Sequence, residues 1–160
     1  MQYAIIGAGG TGGVVGYFMT KAGKDVTLIA RGRHLEAMKE HGLTLERLWD
    51  PNPETFAVKA TDMEHYKEQP DVILVCVKGY SLEDTVPFIR RVAKPDTIVI
   101  PILNIYGTGA KLQKELPELL VTDGCIYVSA NIKEPGVLLQ HGKILRIVFG
   151  CSLRSPEPSR

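Results

Sequence analysis

"YAIIGAGGTGGVVG", residues Tyr3 to Gly16, is the stretch whose reading decides the fold. A short apolar run meets a cluster of glycines almost at the start of the chain, and the glycines continue into what reads as a helix. Glycine in a helix interior costs about 1 kcal/mol relative to alanine, so the cluster needs a reason beyond local structure. Its spacing supplies one. Gly7-x-Gly9-x-x-Gly12 follows a predicted strand, Gln2 to Ile6, and opens a predicted helix, Thr11 to Lys21, with Gly23 as a C-cap candidate. In that setting the first glycine permits a tight turn, the second lets backbone approach a pyrophosphate, and the third lets the helix pack closely on the strand. The helix N-terminus offers unpaired N–H groups and a partial positive charge to the phosphates. The candidate dinucleotide-binding residues are therefore Gly7, Ala8, Gly9, Gly10, Thr11 and Gly12, and Gly16 extends the close packing by one turn. The competing reading is a glycine-rich turn that serves only the fold.

Working outward, apolar strands alternate with helical patterns through most of the chain. Val26 to Ala30 is a second strand, and His34 to His41 a helix stopped by Gly42. Leu43 to Leu45 and Phe56 to Val58 read as two short strands around a Pro-rich turn, "DPNPE", Asp50 to Glu54. "DVILVCV", Asp71 to Val77, is the strongest strand, and its continuous apolar run suits a central parallel strand covered on both faces. Leu82 to Val92 follows as a helix despite Pro87, then Thr97 to Leu103 as a strand and Ala110 to Leu116 as a helix. Three more strand candidates are Val121 to Val128, Val137 to Gln140 and Ile144 to Phe149. The alternation predicts an α/β, Rossmann-type, doubly wound and mostly parallel sheet with right-handed crossovers. We expect the dinucleotide-binding domain to span residues 1–150. "SLRSPEPSR", Ser152 to Arg160, reads as a polar, linker-like tail.

Composition bounds the partners. The 160 residues are 44% hydrophobic and 23% charged, with a formal net charge of +1 and no long run of one sign. That balance disfavours nucleic acid or an anionic membrane as the main partner. No signal peptide or membrane span is recognisable, and Cys76, Cys125 and Cys151 form no CxxC pair. Reduced, mostly packed thiols in a cytoplasmic protein are the expectation. The cysteines and the four histidines show no metal-ligand spacing.

The end of the second strand bears on which dinucleotide is bound. An NAD site usually places Asp or Glu there, to accept hydrogen bonds from the ribose 2′-OH. Here the strand runs "VTLIARGRH": Asp25 lies at its wrong end, and Ala30, Arg31, Gly32 and Arg33 follow it. A guanidinium pairs with a 2′-phosphate that an acid would repel. NADP(H) is the expected cofactor, with Arg31 as phosphate ligand and Arg33 as a weaker second candidate; solvated surface arginines are the alternative. Two polar residues close other strands on the side where ligands bind. Lys78 ends "DVILVCVK" and Asn104 ends "TIVIPILN". A solvated lysine, and an Asx turn or helix cap, are their bland readings. Glu83 reads as a helix cap, His141 as part of a hairpin turn and Trp49 as a packing residue, while Tyr106 stays open beside Asn104.

With these residues placed, the chain resembles the N-terminal cofactor domain of the ketopantoate reductases (2-dehydropantoate 2-reductases). The resemblance covers nearly the whole chain. It rests on "IIGAGGTGGVVG", "LIARGRHLEAMKEHGLTL", "DVILVCVKGYSLEDTV", "PILNIYG" followed by "KLQKEL", and "EPGVLLQHGKILRIVFG". It implies hydride transfer from NADPH to the ketone of ketopantoate, or of a related 2-keto acid, giving pantoate on the route to pantothenate and coenzyme A. It implies that Gly7, Gly9 and Gly12 form the pyrophosphate turn and that Arg31 selects the 2′-phosphate. It also implies that Lys78 is a cofactor-side lysine and that Asn104 borders cofactor and substrate.

Two departures stand out. The family usually follows that asparagine with glycine, where this chain has Ile105 before Tyr106 and Gly107. A β-branched residue adopts a left-handed backbone only at a cost, which points to a changed loop. The family also carries a C-terminal helical domain that supplies the general-acid lysine and a substrate-binding acid, and no such domain is recognisable here. The expectation is a domain that binds NADPH and turns over ketopantoate poorly by itself, with uncovered apolar surface that self-association into a homo-oligomer would hide. Two other readings stand beside it: a non-enzymatic NADP(H)-binding module, either redox-sensing or a truncated relic, and NAD-linked oxidation of a different 2-hydroxy acid or an alcohol, which Arg31 disfavours.

Overall fold

The residues described by the computed structural model are 1–77, 80–103 and 107–151. The apolar runs form a six-stranded, wholly parallel sheet. It contains β1 (Gln2–Ile6), β2 (Asp25–Ile29), β5 (Lys59–Thr61), β6 (Val72–Val75), β7 (Ile98–Pro101) and β8 (Leu120–Val121), in the order β5-β2-β1-β6-β7-β8. This is the strand order of a dinucleotide-binding doubly wound sheet, with the reversal between β1 and β6.

Both faces of the sheet are covered, which is why its strands lack polar alternation. Ile5, Leu28, Val72 and Leu74 join one core with α1 (Gly10–Lys21) and α2 (Gly32–His41). Ala4, Ile6, Ile73 and Val75 join another with α3 (Leu82–Val92) and α4 (Thr108–Glu115). Neighbouring residues of one strand thus feed opposite cores, as the period of two requires. At the start of α3, Ser81 and Asp84 form a capping box: Asp84 N–H donates to Ser81 Oγ (3.3 Å) and Ser81 N–H to Asp84 Oδ2 (3.2 Å). Glu83, read from the sequence as the cap, only adds favourable charge to that first turn.

A second sheet packs against α1 from the other side. It comprises β3 (Leu43–Arg47), β4 (Asp50–Phe56), β10 (Ala130–Glu134) and β11 (Val137–Gln140), in the order β10-β11-β3-β4. The small ribbon of β9 (Asp123–Tyr127) and β12 (Arg146–Gly150) is separate.

This arrangement corrects several expectations. The Pro-rich "DPNPE" is not a turn: it lies in β4, which pairs Thr55 with Thr44 and Glu54 with Leu45, and the turn is Leu48 and Trp49. Pro51 and Pro53 are tolerated because β4 is an edge strand whose outward N–H positions need no partner. Val121 to Val128 is not one strand; it divides at Thr122 between β8 and β9, which belong to different sheets. Val137 to Gln140 and Ile144 to Phe149 do not form a hairpin, since β11 pairs with β10 and β3 while β12 pairs with β9. The cysteines are packed only in part: Cys76 is buried, Cys125 half-buried and Cys151 exposed.

The glycines of α1 now have a physical role. A Cβ on Gly12 would lie 1.9 Å from the Gly7 carbonyl oxygen, and one on Gly16 would lie 2.2 Å from Leu28 Cδ2. Both glycines press the helix onto the parallel sheet. On the other face, a Cβ on Gly10 would lie 2.3 Å from the Ala130 carbonyl oxygen, and one on Gly13 would lie 2.8 Å from Leu138 Cδ1. Tyr17, on that same face, meets Phe56 of β4 edge-on at 5.4 Å between centroids. Gly12→Ala collides with backbone and Gly16→Ala with a leucine side chain that can rotate. We therefore expect Gly12→Ala to destabilise by about 3 kcal/mol and Gly16→Ala by about 1 kcal/mol, the ends of the usual overpacking range. Urea unfolding midpoints will show the order.

Candidate functional site

The carboxyl ends of β1, β2, β6 and β7 converge where the strand order reverses, which is where open α/β sheets bind ligands. Gly7 makes the turn out of β1 with φ +93°, a conformation L side chains rarely adopt, and its N–H donates to the Ile29 carbonyl of β2 (3.1 Å). Gly9 is the N-cap of α1. No side chain caps this helix and its first turn carries no acid, so the charge at its N-terminus is left uncompensated by the helix itself.

Two clefts flank the turn and meet at Gly9. The first, about 250 Å³, is lined by residues 7–10, by Ala30 and Arg31 beyond β2, and by His34, Tyr80, Asn131 and Ile132. The second, about 160 Å³, is lined by Gly9, Thr11 and Gly12, then by Cys76, Val77, Ile102, Leu103 and Ile126. A cleft lined by polar side chains and one lined mostly by apolar side chains, joined at a helix N-terminus, suit a ligand with a polar end, a central diphosphate and a flat ring. Among the described residues, no carboxylate lines either cleft. Asp25 sits at the far end of β2, bonded to Lys59 Nζ at 2.9 Å. A larger cavity, about 930 Å³, lies elsewhere, between Pro101 and Leu103, the start of α4 and the β9–β12 ribbon. It begins at Leu103, where the apolar cleft ends.

Arg31 is the N-cap residue of α2, and its guanidinium lies over the Tyr80 ring, 4.5 Å from the centroid. The stack holds a cation at the mouth of the polar cleft. Arg33 does not line that cleft; it faces the groove beside Glu36 and Glu40. Gly10 lines the cleft with its backbone, while its missing side chain makes room for β10. Trp49 lines neither cleft and sits 38% exposed in the β3–β4 turn. Lys78, Asn104, Ile105 and Tyr106 lie outside the described residues, as does the tail 152–160. Among the described residues no group of His, Cys, Asp and Glu could hold a metal ion, and no helix is long and apolar enough to cross a membrane.

The sequence profile described as "Ketopantoate reductase PanE/ApbA" matches residues 3–153. The chain belongs to the ketopantoate reductase family. The 2-dehydropantoate 2-reductase of Pyrococcus horikoshii is 33% identical over 148 residues, covering 92% of this chain and 47% of that protein. A PanE/ApbA family ketopantoate reductase structure from Ralstonia eutropha JMP134 superposes with a TM-score of 0.80 at 29% identity, covering 89% of this chain and 47% of that one. D-mandelate dehydrogenase, solved with NADH and anilino(oxo)acetate, gives a TM-score of 0.78 at 27% identity, over 89% of this chain and 46% of that one. The chain thus spans about half the length of the ketopantoate reductase relatives it matches.

The sequence alone did not point to three parts of this candidate site. His34 lies three residues past Arg31, in the first turn of α2, and points back at the glycine turn. Tyr80 follows the central strand and becomes visible as a cleft residue only through its stack on Arg31. Asn131 and Ile132 come from β10, whose sequence, "ANIKE", carries no apolar alternation.

Cys76 lines the apolar cleft but is no nucleophile: burial pushes its thiol up to about 12, so it stays neutral at physiological pH. A disulfide reagent at pH 8 should therefore modify Cys151 at once and Cys125 more slowly. Cys76 should react only when the chain unfolds, as counted by thiol titration before and after urea.

Proposed function

We propose that this chain is the cofactor-binding half of a ketopantoate reductase-type enzyme. In this reading it binds NADPH and presents it for hydride transfer to the ketone of 2-dehydropantoate or a related 2-keto acid. The observation that carries the reading is Arg31, stacked on Tyr80 beyond β2, between a cleft that no described carboxylate lines and a groove that Glu36, Glu40 and Asp62 line. When bound, the cofactor supplies the hydride and its electron pair.

The chain's own residues bind and orient. The N–H groups at the start of α1 face the diphosphate, and Gly9 and Gly12 let it approach the backbone. Arg31 pairs with the 2′-phosphate. The apolar cleft between Cys76, Val77, Ile102 and Leu103 receives the flat ring and keeps water from its reactive face. Lys78 and Asn104 follow β6 and β7 in sequence, and we assign them, as the resemblance implies, to the cofactor side and to the border with substrate. Proton delivery to the forming alkoxide is assigned to a lysine outside these 160 residues, as the resemblance implies. The 930 Å³ cavity adjoining Leu103 is where the substrate side of the site opens. A soluble, cytoplasmic setting with a small 2-keto acid as partner belongs to the same reading.

D-mandelate dehydrogenase, with comparable likeness, was solved with NADH. The preference for NADPH in this reading therefore rests on Arg31 and not on that likeness. A fluorescence titration with NADPH and with NADH, on the chain and on Arg31→Ala, tests the reading. A charge-assisted pair is worth about 1.5–3 kcal/mol, so NADPH should bind about ten- to a hundredfold more tightly than NADH and Arg31→Ala should remove most of the difference. Equal affinities unchanged by the substitution would overturn the assignment.

A further inference from the structure

His34 is built into two structures at once. Its Nε2–H donates to the Ala8 carbonyl of the glycine turn at 2.7 Å. Its Nδ1 accepts the Gly136 N–H at 2.9 Å, 102 residues away in sequence. The two partners fix the tautomer without ambiguity, because a carbonyl only accepts and a backbone N–H only donates. The neutral imidazole with its proton on Nε2 satisfies both. A protonated ring would set an N–H against the N–H of Gly136.

Gly136 ends the Pro135–Gly136 turn between β10 and β11, with φ +80°, and its carbonyl accepts Thr44 N–H at 2.9 Å. The same hairpin stands on Gly10 at its other end, where a Cβ would meet Ala130 and Asn131. There the Asn131 amide oxygen bonds His141 Nε2, and His141 N–H donates to the Ser129 carbonyl at 2.8 Å. Asn131 and Ile132 of this hairpin form the wall of the polar cleft opposite Arg31 and Tyr80. One wall is thus tied through His34 to the floor at Ala8.

We propose that His34 is a positioning residue for the dinucleotide: as the neutral imidazole it pins the β10–β11 hairpin to the glycine turn and so holds the polar cleft at its binding width. This rests on the reading of the cleft as a dinucleotide site and adds a residue that acts through the hairpin rather than by touching the phosphates.

Protonation undoes the clamp. Burial holds the His34 pKa below the ordinary value, and the bond to Ala8 only partly opposes this. A histidine depressed in the folded state contributes stability that is complete above its unfolded pKa and is lost as pH falls through the folded one. The charged and titratable groups on the surrounding elements are Arg31 at the N-cap, then Arg33, Glu36, Lys39, Glu40 and His41 of its own helix, Lys133 and Glu134 on the hairpin, and the Tyr80 phenol, which lines the same cleft. None hydrogen-bonds the imidazole among the described residues, and the glycine turn carries no charge.

The test combines amide exchange at Gly136 with NADP⁺ titrations at pH 8 and pH 5, on the chain, His34→Asn and His34→Ala, each checked for folding by circular dichroism. Asparagine presents an amide oxygen where Nδ1 sits and does not titrate. The 2′-phosphate titrates equally in all three, so differences between them belong to residue 34. At pH 8 we expect His34→Ala to lose Gly136 protection and to weaken NADP⁺ about two- to tenfold, the value of one net hydrogen bond. His34→Asn, whose amide reaches the place of Nδ1 but not that of Nε2, should keep Gly136 protection and, without the Ala8 bond, weaken NADP⁺ as His34→Ala does. On acidification the chain should lose affinity beyond the loss seen in His34→Asn. If the chain binds NADP⁺ but His34→Ala binds equally at both pH values, His34 has no positioning role. If the chain binds no dinucleotide although Gly136 is protected at pH 8, the functional reading of the cleft fails and the proposal fails with it.

Discussion

Everything at the ligand end of this molecule depends on one helix having too few side chains. α1 lies between the parallel sheet and the second sheet, and it fits because Gly12 and Gly16 meet the first while Gly10 and Gly13 meet the second. Conformational entropy makes such a helix intrinsically weak. Its stability comes from burial on two sides, where Val14, Val15 and Tyr17 are almost fully enclosed. The same compression brings the helix N-terminus, the turn at Gly7 and the β10–β11 hairpin to one place. Fold and site are therefore not separable here: the contacts that hold the helix also set the cleft walls.

The fold was legible wherever burial was two-sided. β1, β2 and β6 are continuous apolar runs, and the glycine spacing between the first two admits few alternatives. Legibility failed where a strand is only partly covered. β4 contains two prolines and reads as a turn, because its edge position is a tertiary fact that local propensity does not encode. β5 and β10 were missed for a related reason. β5 has three residues, and β10 is exposed along most of its length, so neither carries a periodic signal.

The site was legible along the backbone and less so across space. The glycine turn and Arg31 are neighbours of a strand end in sequence, and position along the chain was enough to find them. Tyr80 and Asn131 reach the cleft from separate elements and are recognisable only when the chain is folded. His34 is the instructive case. It stands inside the motif that carries the family resemblance, yet its chemical partners are Ala8 and Gly136, and no spacing within the motif points to either.

The strand edges have a consequence for the behaviour of the chain in solution. An unpaired edge is a template for strand addition and aggregation unless it is short, charged or interrupted by proline. The parallel sheet ends in its two shortest strands, β5 with three residues and β8 with two. The second sheet ends in β4, with Pro51 and Pro53, and in β10, with Lys133 and Glu134. β12 is guarded by charge only at its first residue, Arg146. It is five residues long, lacks proline, pairs on one side only and exposes Val148 and Phe149, the latter 58% accessible. Among the described strands, the β9–β12 ribbon is therefore the least guarded edge for intermolecular β-pairing, and a charged residue in place of Val148 would extend the guard that Arg146 begins.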